Sequence, residues 1–135
     1  MVGFEMDDAI CPFGGTWAVR ISGTRIERAH SHMPKQVLVD LFLVPDVLRS
    51  PVAIFQNLMR RDHGDDFCYV GAPEERYSGD VTKKVPFPPG YVFVVMVSRC
   101  GEIRKWRLEP KEVGEHGSLP EGFSERFGRR IWPAS

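Results

Sequence analysis

Two histidines one residue apart, His30 and His32, carry the most suggestive chemistry in the sequence. An imidazole titrates close to neutral pH, so either side chain could act as a general acid or base. The H-x-H spacing also occurs at metal sites. A metal needs further ligands, however, and the nearest ones, Asp40, His63 and residues 65–66, show no recognised spacing. We therefore favour catalytic, solvated or helix-capping histidines over metal ligands, and we expect no cofactor.

A second candidate for chemistry is the cationic stretch Arg104-Lys105-Trp106-Arg107. On a pleated strand, Lys105 and Arg107 share one face, while Arg104 and Trp106 share the other. Such a sheet surface could bind phosphates, with Trp106 or Tyr69 stacking on a base. The alternative is an edge strand whose charges prevent aggregation, with Trp106 half-buried in the core.

Other arginines could extend this surface. Arg20 and Arg28 lie in a predicted hairpin and would contribute to substrate binding if that hairpin joined the same sheet. Arg126, Arg129 and Arg130 in the tail could reach the same ligand. A solvated terminal segment is the simpler explanation of the tail arginines.

The composition sets limits on the function. The 135 residues suit a single domain, 1–135, and 42% hydrophobic with 27% charged residues is typical of a globular protein. The formal net charge of zero provides no global attraction for nucleic acid or anionic membranes. The three cysteines lack paired spacing, and no apolar run is long enough for a membrane span. We expect a cytoplasmic protein that does not bind a membrane.

Familiar nucleotide and hydrolase motifs are missing from the sequence. It contains no phosphate-binding GxxxxGK[ST], no GxGxxG after a strand and no GxSxG. Nucleotide hydrolysis, dinucleotide redox chemistry and serine hydrolysis are therefore disfavoured. The sequence is compatible with an enzyme and with a binding module.

The first half of the chain predicts a hairpin followed by two helices. The alternating stretch 16–22 and the segment 25–29 predict two strands around the turn Gly23-Thr24. Residues 35–44 carry an apolar helical stripe that we expect to end at Pro45. Ser50-Pro51 predicts the start of a second helix, running to Gly64. Residues 1–15 are expected to form a loop or a loosely docked arm.

The second half predicts three strands. Residues 67–70 form a short strand, 71–90 a loop, and 91–98 with 103–108 a central hairpin. The tail, 111–135, is expected to contribute a helical turn or two against a sheet edge. The sequence thus predicts an α+β fold: an antiparallel sheet of about five strands with two helices packed on one face.

The order of these elements resembles that of the small toxin-type nucleases grouped around barnase, colicin and the mRNA interferases. The resemblance is carried by Trp17-Ala-Val-Arg-Ile, Arg28-Ala-His30, Val47-Leu-Arg-Ser-Pro51 and the hairpin 91–108, and it spans residues 16–109. Members of this group cleave RNA without a metal, with the 2′-hydroxyl as nucleophile. The resemblance implies that His30 matches the catalytic histidine and that Arg104 and Arg107 match the phosphate-stabilising residues. It assigns no position to a second catalytic histidine or glutamate.

Three functions follow as hypotheses. The first is an RNA-binding or metal-independent RNA-cleaving domain, with His30 or His32 as acid or base and Arg104 and Arg107 stabilising the phosphate. The second is a non-enzymatic protein-interaction module that uses the proline-rich stretch 85–90 and the aromatic tail. The third is a small-molecule or metal site around the histidines.

Overall fold

The computed structural model describes residues 3–32, 35–56, 67–79, 83–110 and 129–133. Three short α-helices lie within these residues, α1 (Gly23–His32), α2 (Lys35–Val39) and α3 (Val44–Arg49), with a 3-10 turn (Asp40–Leu43) between the last two. The strands in the same part of the chain are β1 (Phe4–Ile10), β2 (Thr16–Ile21), β3 (Ala53–Gln56), β4 (Phe67–Gly71), β5 (Glu75–Tyr77), β6 (Lys84–Pro86), β7 (Tyr91–Val97), β8 (Ile103–Pro110) and β9 (Arg129–Trp132).

The main sheet has five antiparallel strands in the order β8-β7-β4-β3-β9. Two separate hairpins, β1–β2 and β5–β6, complete the β structure of the described residues. The strands β4 and β7 are buried along nearly their whole length, as their continuous apolar runs predict for central strands. The α+β fold with an antiparallel sheet of about five strands is confirmed.

The two faces of the main sheet contact different apolar clusters. On one face, which we call the helical face, Tyr69, Phe93 and Val95 pack with α3 and with the β1–β2 hairpin. On the other face, a second cluster contains Phe55, Cys68, Val70, Val92 and Val94, all buried. The alternation arises because successive side chains of a strand point to opposite faces.

The β7–β8 turn joins the main sheet to the β1–β2 hairpin. Gly101 adopts φ +84° in this turn, a conformation that favours glycine, and a Cβ there would lie 2.5 Å from the carbonyl oxygen of Ala18. The carbonyl of Gly101 accepts a 2.8 Å hydrogen bond from the backbone N–H of Arg20. Glycine at 101 therefore permits the close approach of β2.

The predicted first hairpin is wrong in its second strand. Residues 16–21 form β2, but residues 25–29 lie in α1. Ser22 begins that helix, because its Oγ accepts a 3.2 Å hydrogen bond from the backbone N–H of Arg25. The partner of β2 is instead β1, within the segment predicted to be a loop or loose arm. Met6 and Ala9 of β1 are buried, so residues 4–10 are an integral part of the core.

The two predicted helices around Pro45 and Pro51 also need correction. The helical layer continues through Pro45, which lies in the first turn of α3, where a missing N–H costs no hydrogen bond. Ser50 ends α3 by donating its N–H to the carbonyl of Asp46 at 2.9 Å. It does not begin a new helix, and Ala53–Gln56 form β3. The remainder of that predicted helix, 57–64, lies outside the described residues.

Two further segments differ from the expectation. The predicted loop 71–90 contains the β5–β6 hairpin. In the tail, Arg129–Trp132 form a strand at the edge of the main sheet, where a helical turn was expected to cover it. Residues 111–128, with the rest of the predicted tail, lie outside the described residues.

Candidate nucleic-acid interface

Three charged side chains follow one another along one face of β8. Lys105 lies opposite Met96, Arg107 opposite Val94 and Glu109 opposite Val92. Directly opposed residues of an antiparallel pair share a face. We call Lys105, Arg107 and Glu109 the β8 surface. It lies on the face that carries the second apolar cluster and faces away from α3.

Arg107 and Glu109 of the β8 surface form an ion pair between Nε and Oε1. The Arg107 side chain is 55% exposed, whereas that of Glu109 is only 7% exposed. A largely buried carboxylate thus contacts an exposed guanidinium, which favours one position of the guanidinium at the surface. The guanidinium has five N–H donors in a fixed fork, and this geometry matches a phosphate.

Arg130 lies at the opposite edge of the same face. One row of cross-strand partners contains Lys105, Met96, Cys68, Phe55 and Arg130. Four strand spacings of about 4.8 Å separate the ends of this row, so the Cα atoms of Lys105 and Arg130 lie roughly 19 Å apart. The face therefore has a positive charge at each edge and buried apolar side chains between them.

Arg104, the second predicted phosphate ligand, does not join the β8 surface. The pairing of β7 with β8 shifts between Met96 and Val97, so Arg104 is the extra residue of a bulge. Its carbonyl accepts a 3.0 Å hydrogen bond from Arg25 of α1, and Arg25 also pairs with Glu102 at 3.4 Å. The bulge thus links β8 to the helical layer, and it breaks the simple alternation predicted for Arg104 and Trp106.

The two predicted base-stacking residues lie in the core. Tyr69 is fully buried and Trp106 is 5% exposed, both on the helical face. The Tyr69 hydroxyl accepts a 2.9 Å hydrogen bond from Trp17 Nε1 and donates to the carbonyl of Ile10. Burial raises the pKa of the phenol above its ordinary value, against a smaller lowering by the Trp17 hydrogen bond. Neither ring offers a face for stacking a base.

The structure does not bring Arg20 and Arg28 together with Arg107. Arg20 lies on β2, and its Nη1 donates a 3.3 Å hydrogen bond to the carbonyl of Cys100. Arg28 is an exposed residue of α1. Both belong to the β1–β2 and α1 layer, whereas Arg107 faces the opposite side of the main sheet.

The histidine pair lies in a helix instead of at a strand end. His30 and His32 belong to the last turn of α1 by their backbone, and their side chains fall outside the described part of the structure. His63 also lies outside it. Among the described side chains, no group of three or more His, Cys, Asp or Glu is placed to hold a metal ion.

Glu109 is absent from the site predicted by the sequence. The predicted strand ended at Leu108, one residue before it, while β8 continues to Pro110. The spacing of two from Arg107 was the available signal, because residues i and i+2 of a strand share a face. A predicted strand over 103–110 would place the carboxylate of Glu109 beside the guanidinium of Arg107.

Comparison of the chain with protein-family models, with curated proteins and with solved structures found no match. None of the helices in the described ranges is long and apolar enough to cross a membrane.

Proposed function

We propose that this chain is an RNA-binding or metal-independent RNA-cleaving domain whose ligand contacts the β8 surface. The observation that carries the proposal is the ion pair of exposed Arg107 with the largely buried Glu109, beside the exposed Lys105. Backbone phosphates bind arginine and lysine through charge-assisted hydrogen bonds. The proposal includes a cytoplasmic location, as expected from the sequence.

For a cleaving domain, the chemistry follows from the placement of Glu109. The 2′-hydroxyl attacks the adjacent phosphorus, and the bond from phosphorus to the 5′-oxygen breaks. Glu109 accepts the proton of the 2′-hydroxyl, and a solvent water protonates the departing 5′-oxygen. The sequence-predicted acids His30 and His32 belong to α1, on the other side of the main sheet from Glu109. Arg107 stabilises the negative charge that builds up on the phosphoryl oxygens. Arg104, which lies in the bulge, has no role in this mechanism. Glu109 is instead the residue that acts together with Arg107.

The decisive experiment is incubation of a fluorescently labelled RNA of mixed sequence with the protein in EDTA. We expect Arg107→Ala to abolish cleavage. The slope of the logarithm of the binding constant against the logarithm of the salt concentration should also fall by about one, which corresponds to the loss of one phosphate contact. Arg49→Ala is a matched control, because Arg49 is 47% exposed and pairs with Asp8 on the helical side of the sheet. Glu109→Gln should prevent cleavage while RNA still binds.

Each outcome separates the alternatives. Cleavage that survives EDTA and disappears in Arg107→Ala, but not in Arg49→Ala, supports the proposal. Binding without cleavage in the wild type supports the RNA-binding form alone. If the wild type shows neither cleavage nor salt-dependent binding, RNA is not the ligand.

An apolar groove favours a second candidate function, a protein-interaction module. The groove is lined by Phe4, Ile26, Leu38, Leu41, Phe42 and Pro45. Phe42 is 62% exposed, which is unusual for a large apolar side chain beside such a groove. We expect the wild type to bind the fluorescent apolar probe ANS in this groove and Phe42→Asp to bind it less. Equal ANS fluorescence from both proteins would contradict a role for the groove.

A further inference from the structure

A cleft of about 380 Å³ separates the helical layer from the β5–β6 hairpin. Its volume falls within the range of small-molecule sites. Phe42, Leu43 and Val47 contribute apolar lining, and Tyr77 adds an aromatic ring. The charged lining consists of two cations, Arg76 and Lys84, and of three carboxylates that we call the acidic group, Asp46, Glu74 and Glu75.

Arg76 is held in this cleft by a buried carboxylate. Its side chain is 15% exposed, and its Nη2 lies 3.0 Å from Oδ2 of Asp40, which is 4% exposed. The other oxygen of Asp40 accepts a 2.9 Å hydrogen bond from Gln36 Nε2. Burial raises the pKa of Asp40, while Gln36 and Arg76 act in the opposite direction. Both carboxylate oxygens are satisfied, so the pair fixes the position of the guanidinium.

The same glutamine fixes the hairpin. Gln36 Nε2 donates a 2.8 Å hydrogen bond to the carbonyl of Tyr77 in β5. The Tyr77 ring also packs edge-on against Phe42, with ring centroids 5.6 Å apart. Both walls of the cleft are therefore joined by specific contacts. A site preorganised in this way loses less entropy when it binds a ligand.

Arg76 retains donors for a ligand. Within the described residues, Asp40 is its only hydrogen-bond partner, and it uses one of the five guanidinium N–H groups. Lys84 provides a second positive charge, with Nζ 5.5 Å from the centre of the Tyr77 ring. A largely buried guanidinium with spare donors is suited to a carboxylate, which accepts two parallel hydrogen bonds.

The acidic group determines which kind of charged ligand the cleft can bind. Its three carboxylates exceed the two cations, so the net charge of the lining is negative. A polyanion such as RNA would be repelled, and a simple anion would meet the same opposition. A molecule with both an anionic and a cationic group would instead find a partner for each charge.

We propose that the cleft binds a small zwitterion of the amino-acid class. The carboxylate pairs with Arg76 and Lys84, the ammonium faces the acidic group, and an apolar side chain packs against Phe42. This site is independent of the β8 surface, so it stands whether or not the chain binds RNA.

The test uses three related probes: L-phenylalanine, N-acetyl-L-phenylalanine and L-phenylalaninamide. Only the first is a zwitterion at neutral pH, because the other two each lack one charge. We expect amide NMR shifts in β5 and around Gly71 on addition of L-phenylalanine, with at least about tenfold weaker binding of either analogue. Equal binding of either analogue, or no binding of any of the three, would overturn the proposal.

Two substitutions locate the site. Lys84→Gln leaves the buried Asp40–Arg76 pair intact and should weaken binding of L-phenylalanine about tenfold. Arg28→Gln removes an equal charge from exposed α1 and should leave binding unchanged. If Lys84→Gln binds L-phenylalanine as tightly as the wild type does, the cleft is not its site. RNA binding measured on the same Lys84→Gln protein should be unchanged, which keeps this proposal distinct from the one for the β8 surface.

Discussion

The indole N–H of Trp17 donates a 2.9 Å hydrogen bond to the hydroxyl of Tyr69, linking β2 to the central strand β4. The same hydroxyl donates to the carbonyl of Ile10 in β1. One buried phenol therefore connects both strands of the first hairpin to the main sheet. Such contacts matter because an unpaired polar group in the core is costly.

We predict that Tyr69→Phe destabilises the protein by about 1–3 kcal/mol, since Trp17 and Ile10 each lose a buried partner. Urea unfolding monitored by circular dichroism measures this change. Tyr91→Phe is the control, because Tyr91 is 44% exposed and its substitution should alter stability by no more than about 0.5 kcal/mol. Equal stability of the two variants would contradict the role assigned to Tyr69.

The raised pKa of Tyr69 predicts that the protein loses stability at alkaline pH. The pKa of Tyr69 is raised above its ordinary value of 10.0 mainly by burial. The folded state thus holds this proton more tightly than the unfolded state does, and the free energy of unfolding falls as the pH rises above 10.0. Measured across this pH range, Tyr69→Phe should show a shallower decline than the wild type. Parallel curves would show that Tyr69 does not contribute to the decline.

Removing Arg76 should be far more costly than removing an exposed arginine. Arg76→Met leaves the carboxylate of Asp40 buried without its cation, and we expect a loss of about 3–5 kcal/mol in the free energy of unfolding. The double variant Asp40→Leu/Arg76→Met should recover much of that loss. Arg49→Met is the control, because its ion pair with Asp8 is about half exposed and should contribute less than about 1 kcal/mol. A double variant as unstable as Arg76→Met would contradict this account.

Gly71→Ala should disturb the contact between β4 and α3. A Cβ at this position would lie 2.6 Å from Cγ2 of Val47, closer than side chains pack. We expect a destabilisation of about 1–3 kcal/mol, by the usual cost of overpacking. Adding Val47→Ala should make the double variant more stable than the sum of the single changes predicts. Gly79→Ala, whose nearest neighbour would be 3.8 Å away, serves as the unstrained control.

The central hairpin could be predicted from the sequence because its signal is local. The run 91–97 is apolar on both faces and rich in β-branched valine, a pattern typical of a strand covered on both sides. The start of α1 could not be predicted in the same way. Gly23-Thr24 suits a tight turn as well as the first turn of a helix, and the hydrogen bond from the Arg25 N–H to Ser22 decides for the helix. Ser50-Pro51 is ambiguous for a similar reason, since a serine can end one helix or begin another.

The candidate site could be predicted only in the part of β8 where successive side chains alternate between the two faces of the sheet. The common face of Lys105 and Arg107 follows from their spacing, and the register of β8 confirms it. The bulge at Arg104 depends on long-range contacts with α1, which no local pattern reveals. The Asp40–Arg76 pair joins residues 36 positions apart, so no local sequence pattern could predict the cleft either.

The pairing of β9 with β3 has a consequence for the nascent chain. β9 is the last of the described strands to be synthesised, although its partner β3 lies more than 70 residues earlier. Until residues 129–132 leave the ribosome, β3 presents unpaired backbone groups along a strand that is otherwise buried. Exposed edges of this kind associate with other chains. The main sheet therefore passes through an aggregation-prone stage that lasts until β9 pairs with β3.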